Sequence, residues 1–461
     1  MAMSLLMAAM ALSARAQAQV TGGTLAGRVT TTSGAPVGSA NIAVTYIPTG
    51  SRSGAITADD GRFLLANIRS GGPYSITVKR VGLKPMTRDD IYLSLGATSR
   101  QDFVLAEAVT TLSGVTVTAD VDQTIDKART GPSTNVGRGL IENLPTLGRS
   151  LQDMTRLTPQ GNANSFAGSN FRYNNITIDG AANNDVFSFS PSQGGISGVG
   201  PSGTPGAGAR TQPISLDAIE EVQVTLAPFD VKLGNFTGGS INAVTRSGTN
   251  DMSGSFYSFG RNQILTGRSA DDARLKIPNY SDYQLGGRLG GPLMHDKAFF
   301  FLNVDVAHRD EPIGFAPGDL GTVIDAATAK GLYDTLKTRY NYDAGSIGAF
   351  TNLTQSKKIF GRLDFNLSDV HKLNVRHNFV DANAQNFARG GFLTKLGGQD
   401  FTQFNTTNSS VAELKSTWTN GTSNSLIGGA SFTRDRRGFP GADLSAGRDQ
   451  RTFGELNLLG H

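Results

Sequence analysis

Four stretches of this 461-residue sequence carry residue types at spacings that could do chemistry. His308-Arg309-Asp310-Glu311 sets an imidazole three positions before a carboxylate, a zinc-ligand spacing. Asp59-Asp60-Gly61 offers paired carboxylates, the oxygen ligands a divalent cation takes. Gly198-Val199-Gly200-Pro201-Ser202-Gly203 has the glycine spacing of a dinucleotide-phosphate loop. Val115-Thr116-Val117-Thr118-Ala119 is a β-branched run in polar chain, suited to adding itself as an edge strand to a partner's sheet.

Context weighs against chemistry at the first three. The His-x-x-Glu set falls at a strand end entering a long loop, where a salt-bridge cluster is the plainer reading. No further carboxylates follow Asp59 and Asp60 at ligand spacing, so they read as a hydrogen-bonded turn. No apolar strand leads into Gly198, and Pro201 and Pro205 interrupt any helix after it, so that segment reads as a loop. No catalytic residue, metal ligand or cofactor site is assigned. Val115, Thr116, Val117, Thr118 and Ala119 remain as a candidate partner-binding strand, against the plainer readings of linker or last sandwich strand.

The elements that must position this segment follow from composition and periodicity. The length calls for two or more domains. Glycine at 57 residues and only 17% charged residues, in alternating segments cut by turn residues, favour an all-β protein. Lys plus Arg at 42 against Asp plus Glu at 38 is too evenly mixed to argue for a nucleic-acid partner. The absence of cysteine excludes disulfides, thiolate metal sites and a lipidated cysteine anchor. Met1 to Leu12 is apolar, and small residues at Ala14, Ala16 and Ala18 fit a signal peptide over 1–18, although no Lys or Arg precedes the apolar run.

Residues 19–106 break into short strands at sandwich spacing: Thr24–Thr30, Asn41–Tyr46, Gly54–Thr57, Arg62–Ile68, Tyr74–Arg80, Ile91–Leu95 and Ser99–Leu105, with Ser70–Pro73 as a turn. A linker over 107–119 follows. Within 120–252, apolar residues three or four apart from Gly139 to Leu157 predict one or two short helices broken by Pro145. Ile219 to Leu226 alternates as a strand with one covered face, and Ile241 to Val244 restarts the pattern after a glycine bend.

From 253 to 461 the alternating runs lengthen. Leu302, Val304 and Val306 share one face against Asn303 and Asp305, and Ile359, Leu363 and Phe365 oppose Arg362 and Asp364. Tight turns at Pro292–Lys297, Ser368–His371 and Thr419–Thr422 alternate with long connections at Arg261–Asp282, Arg309–Ser356 and Asp381–Asn408. Charged inner faces and this alternation suit an outer-membrane barrel with a wet lumen. Trp418 then falls at the membrane boundary.

The run IEEVQV at Ile219–Val224 followed by GGSINAVTRSGTN at Gly238–Asn250, with ITIDG at Ile176–Gly180 and LPTLGRSLQDMTRLTP at Leu144–Pro159, resembles the plug domain of TonB-dependent outer-membrane transporters. GRVTTTSGAPVGSANIAV and TADDGRFLLANI resemble the carboxypeptidase regulatory-like domain, which precedes the plug in the Oar-like branch. The resemblance implies an all-β dominated fold: an N-terminal β-sandwich, a mixed α/β plug, then the first strands of an antiparallel transmembrane barrel. It also implies an outer-membrane location with the N-terminal domains in the periplasm, outer-membrane lipid around the strands, and uptake of a solute that the sequence does not identify. Val115–Ala119 resembles the TonB box, which implies a TonB-type periplasmic energy transducer as partner. About eight barrel strands can be counted, too few to enclose such a plug, so the expectation is an N-terminal fragment of a larger barrel. Two other functions stay open: a non-transporting surface or adhesion protein, and a zinc enzyme like the metallocarboxypeptidases, built on His308 and Glu311.

Overall fold

The computed structural model describes residues 20–107, 133–144, 146, 149–162, 165–169, 173–184, 204–226, 238–268, 278–319, 322–387, 389, 396–397 and 400–438. The expected signal peptide, Val115–Ala119 and Gly198–Gly203 lie outside them.

The first eight strands are β1 (Gly23–Thr31), β2 (Asn41–Tyr46), β3 (Ser51–Ile56), β4 (Arg62–Ile68), β5 (Gly71–Lys79), β6 (Met86–Leu93), β7 (Thr98–Arg100) and β8 (Phe103–Leu105). They form two sheets, β3-β2-β5-β6 and β4-β1-β7, with β8 also on β1. Alternate side chains such as Ile42, Val44, Tyr74, Ile76 and Phe103 meet in a core between the sheets. Four expected segments differ. The strand expected at Gly54–Thr57 runs from Ser51 to Ile56. Ser70–Pro73 is not simply a turn, because β5 begins at Gly71. The last strand is split by Gln101-Asp102, where Asp102 accepts from the Arg28 N–H at 2.8 Å. The strand expected at Ile91–Leu95 runs instead from Met86 to Leu93, and side chains of the middle region, Glu221 and Gln223, take the main-chain groups of Leu95.

The middle region contains β9 (Ser133–Gly137), helices α1 (Arg138–Asn143) and α2 (Leu151–Thr155), β10 (Gly161–Asn162), β11 (Ser165–Phe166), β12 (Asn175–Ile178), β13 (Ala181–Ala182), β14 (Ile219–Leu226) and β15 (Gly239–Thr245). Leu144 is extended at φ −69° and ψ 122°, the conformation that a following proline favours, and α1 stops there. The sheet order is β13-β12-β15-β14-β9, with β12 parallel to β15 and β9 an edge antiparallel to β14. Its apolar face buries Ile176, Val222, Val224 and Ile241 with Met154 and Phe166. The expectation of one covered face on β14 is corrected: Glu221, Gln223 and Thr225 are buried too, because the sandwich covers the polar face.

The remaining strands are β16 (Ser253–Asn262), β17 (Ser281–Met294), β18 (Ala298–Ile313), β19 (Phe350–Asn366), β20 (His371–Gln385), β21 (Thr402–Thr417) and β22 (Ser423–Gly438). They form one antiparallel meander in chain order, seven strands rather than about eight among the described residues, and β16 and β22 do not pair with each other. Short turns at one end alternate with long connections at the other. The strands reach further into the long connections than expected, β18 to Ile313 and β19 from Phe350. The connection between them also holds an unexpected helix α3 (Ala326–Tyr340), capped by the Asp325 carboxylate on the Thr328 N–H at 2.7 Å.

The burial of this wall is inverted relative to a soluble strand. Leu302, Val304 and Val306 are 43%, 40% and 38% exposed, while Asn303 and Asp305 between them are 1% and 0% exposed. An apolar outer surface over a polar inner one is the arrangement of a sheet solvated by lipid on its outer side.

Candidate functional site

The middle sheet is held against the inner face of the wall, and this contact is the most heavily charged buried site among the described residues. It begins at Asp179, which ends β12 in a left-handed conformation at φ 45°. Its carboxylate accepts from the Thr245 N–H at 2.8 Å and the Thr245 hydroxyl at 2.7 Å, tying β12 to β15. From the wall, Arg376 Nε lies 2.7 Å from Asp179 Oδ2 and Arg362 Nη1 lies 3.6 Å from Oδ1. Arg362 also donates to the Thr245 carbonyl at 3.1 Å and is paired by Asp364 at 2.7 Å.

Arg362 and Arg376 stand directly opposite each other in the β19–β20 ladder. Like charges so placed repel, and an anion between them removes the repulsion. Burial pushes the Asp179 carboxyl up, but the Arg376 and Arg362 guanidiniums and the Thr245 hydrogen bonds outweigh it and hold it below the usual carboxylate range.

Three further contacts fasten the same body. Asp305 on β18 binds Lys358 at 2.9 Å and Tyr257 at 3.0 Å, with Ser215 before β14 at 3.4 Å. Arg210, buried in the loop leading to β14, reaches Glu311 at 3.4 Å and Asn386 at 3.1 Å toward the long-connection end of the wall. Asn378 donates to the Pro213 carbonyl at 2.7 Å. Arg362, Arg376 and Asp305 were legible as inner-face polar residues, and Asp179 as part of ITIDG. Their convergence was not, because nothing local ties a turn aspartate to wall residues so distant in sequence.

The strand-adding candidate is Val115–Ala119. Described chain stops at Glu107, beyond β8, and resumes at Ser133, which starts β9. In sequence the segment lies between the last described strand of the sandwich and the edge strand of the middle sheet, outside the described residues.

The remaining candidates have structural roles. His308 and Glu311 lie within β18, not at its end; three positions apart on a strand they face opposite ways and do not converge on one ion. His308 Nε2 lies 3.1 Å from Asp310 and its ring stacks on Tyr283, while Glu311 pairs with Arg210. Asp60 caps a turn, accepting from the Arg62 N–H at 3.0 Å. Trp418 begins the β21–β22 turn, edge-on to His371.

Two family models match: a carboxypeptidase regulatory-like domain over residues 24–106 and an outer membrane β-barrel domain over 244–346. Among curated proteins, the TonB-dependent transporter Oar of Myxococcus xanthus is 25% identical over 350 residues. That match covers 71% of this chain and 28% of the relative, so the chain spans under a third of that relative's length. Similar solved structures include the outer-membrane transporter YddB from Escherichia coli, with TM-score 0.42 and 12% identity over 66% of this chain and 38% of that one. The siderophore receptor PirA from Pseudomonas aeruginosa gives TM-score 0.43 and 13% identity over 67% and 42%.

The chain thus carries a carboxypeptidase regulatory-like domain followed by sequence of an outer membrane β-barrel domain, the latter placing it at the outer membrane. Over most of its length it is similar to a TonB-dependent transporter. The regulatory-like domain is a non-catalytic fold, and the enzyme reading of His308 and Glu311 falls away.

Proposed function

We propose that this chain supplies the periplasmic domains, plug and first wall strands of an energised importer, with Val115–Ala119 as the strand that a TonB-type transducer seizes. The observation that carries this reading is the plug's polar fastening. Asp179 is gripped by Arg362 and Arg376 on the inner wall, and from the wall Phe301 and Phe360 join the plug's apolar cluster, so the grip is chiefly ionic with a small apolar contact beside it. The short turns and the sandwich face the periplasm, and the long connections, α3 among them, face outward and meet the solute.

Pairing with a transducer uses main-chain N–H groups, so proline at Val117 removes a donor and breaks regular pairing, whereas alanine at Thr116 changes only a side chain. The test is binding of the membrane-assembled protein to the purified periplasmic domain of the transducer. Val117→Pro is expected to abolish binding and Thr116→Ala to retain most of it. Equal binding by both would leave 107–119 as a linker and remove the energised step.

A further inference from the structure

We propose that the sandwich is a latch on the plug: its β6–β7 loop clamps the edge strand β9 against β14, so that the sheet opens from that edge only after the sandwich lifts. The clamp centres on Leu95. Its N–H donates to both Glu221 carboxylate oxygens, at 3.0 and 3.1 Å, and its carbonyl accepts from Gln223 Nε2 at 2.6 Å and Asn135 Nδ2 at 3.0 Å. Asn135 Nδ2 also lies 3.0 Å from Glu221 Oε1. Asn135 belongs to β9 and stands opposite Gln223 of β14 in the ladder, so one sandwich residue bridges both strands of the outermost pair.

The approach is close enough to dictate sequence. Gly96 has φ +67°, and a Cβ there would lie 2.7 Å from Gln223 Nε2. Further footholds keep the loop in place: Asn242 Nδ2 donates to the Val20 carbonyl at 2.6 Å, the Ile56 N–H to the Thr419 carbonyl at 3.1 Å, and the Asn250 N–H to the Pro48 carbonyl at 2.7 Å.

These contacts are polar and separable. The apolar clusters of sandwich and plug share no residue, so the two bodies can part without opening either core. Among the described strands β9 pairs with β14 alone, and a five-residue edge strand is where a sheet yields first. It is also the first described plug strand after Val115–Ala119, so a pull on that segment loads the strand the sandwich pins. That functional meaning rests on the importer reading; the clamp itself does not.

Hydrogen exchange of the β9 amides in the purified full-length protein tests the clamp. Gly96→Val strains the left-handed turn and crowds the Gln223 amide that holds Leu95, loosening the loop without substituting any plug or wall residue. It is expected to speed exchange over Thr134–Val136 about tenfold, with β5 and β19 unchanged as evidence that both bodies remain folded. The opposite perturbation is Gly54→Cys with Thr419→Cys in this cysteine-free sequence, since a Cβ on Gly54 would lie 3.9 Å from Thr419 Cγ2. The oxidised pair should slow β9 exchange relative to its reduced form. Unchanged β9 exchange on oxidation, or in a folded Gly96→Val protein, overturns the latch. Transducer binding by Val117→Pro is read separately, so failure of the importer reading and failure of the latch are distinct results.

Discussion

Val104 and Val304 look interchangeable in isolation: each is an outward valine, substantially exposed, between two buried residues of a β-strand. Their neighbours differ. Val104 on β8 sits between Phe103 and Leu105, which fill the sandwich core, whereas Val304 on β18 sits between Asn303 and Asp305, which face the plug. The first is a single apolar side chain on a water-facing surface, which soluble domains carry routinely. The second belongs to an apolar face continued by Leu302, Val306, Ile359, Leu363 and Val375 across three strands. Period-2 alternation sets the two faces of a strand apart; what lies buried on the other side decides which solvent each face meets.

The sharpest way to break this comparison is to remove the charge that makes the wall's polar inner face tenable. Asp179→Ala leaves the Arg376 guanidinium buried without its carboxylate and Arg362 facing it across the ladder. Deleting one partner of such a buried set costs about 3–5 kcal/mol. The plug strands β12 and β15 should lose hydrogen-exchange protection and become protease-sensitive, while β5 of the sandwich stays protected. Retained protection at β12 would mean that the plug is held by its apolar contacts instead.

The two valines give the next test. Val304→Arg places a charge on the lipid side and should cost about 2–4 kcal/mol near the bilayer midplane. It would be read as loss of the folded, heat-resistant form in membranes. Val104→Arg puts the same charge in water, where such changes stay within about 0.5 kcal/mol. Equal damage by both would contradict the assignment of separate solvents.

Much of this was legible in the sequence, and the limits have physical causes. Strands such as Asn41–Tyr46 and Arg62–Ile68 were readable to the residue, because period 2 is local and glycine-rich turns punctuate it. The wall's polarity was readable because Asp305, Arg362 and Arg376 cannot sit against lipid. Helix α3 escaped because it buries only Ala329 and Leu336 and shows no apolar stripe. The covered polar face of β14 escaped for another reason: Glu221 and Gln223 look like solvent-facing residues until a loop some 125 positions earlier in sequence is placed upon them. Tertiary polar contacts leave no periodic trace.

That covered face yields the smallest effect, a dependence of the sandwich dock on pH. Burial pushes the Glu221 carboxyl up to about 7, against the hydrogen bonds from Leu95 and Asn135, and the neighbouring Glu220 adds to the rise. With the sandwich lifted, Glu221 meets water and returns toward its ordinary value near 4.5. The docked state therefore binds the proton more tightly, so docking is favoured at low pH and weakens as pH rises from the ordinary carboxylate value through about 7. Between pH 6 and 8 the loss should be roughly 1 kcal/mol, a several-fold change in the docking equilibrium. Exchange of the β9 amides, corrected for its intrinsic pH dependence, should accelerate over that interval. Glu221→Gln keeps an acceptor for the Leu95 N–H but cannot ionise, and its β9 exchange should follow the intrinsic pH curve alone. If the wild-type protein follows that curve as well, the polar face of β14 is already hydrated and behaves like Val104's surface, not like the buried side of Val304's strand.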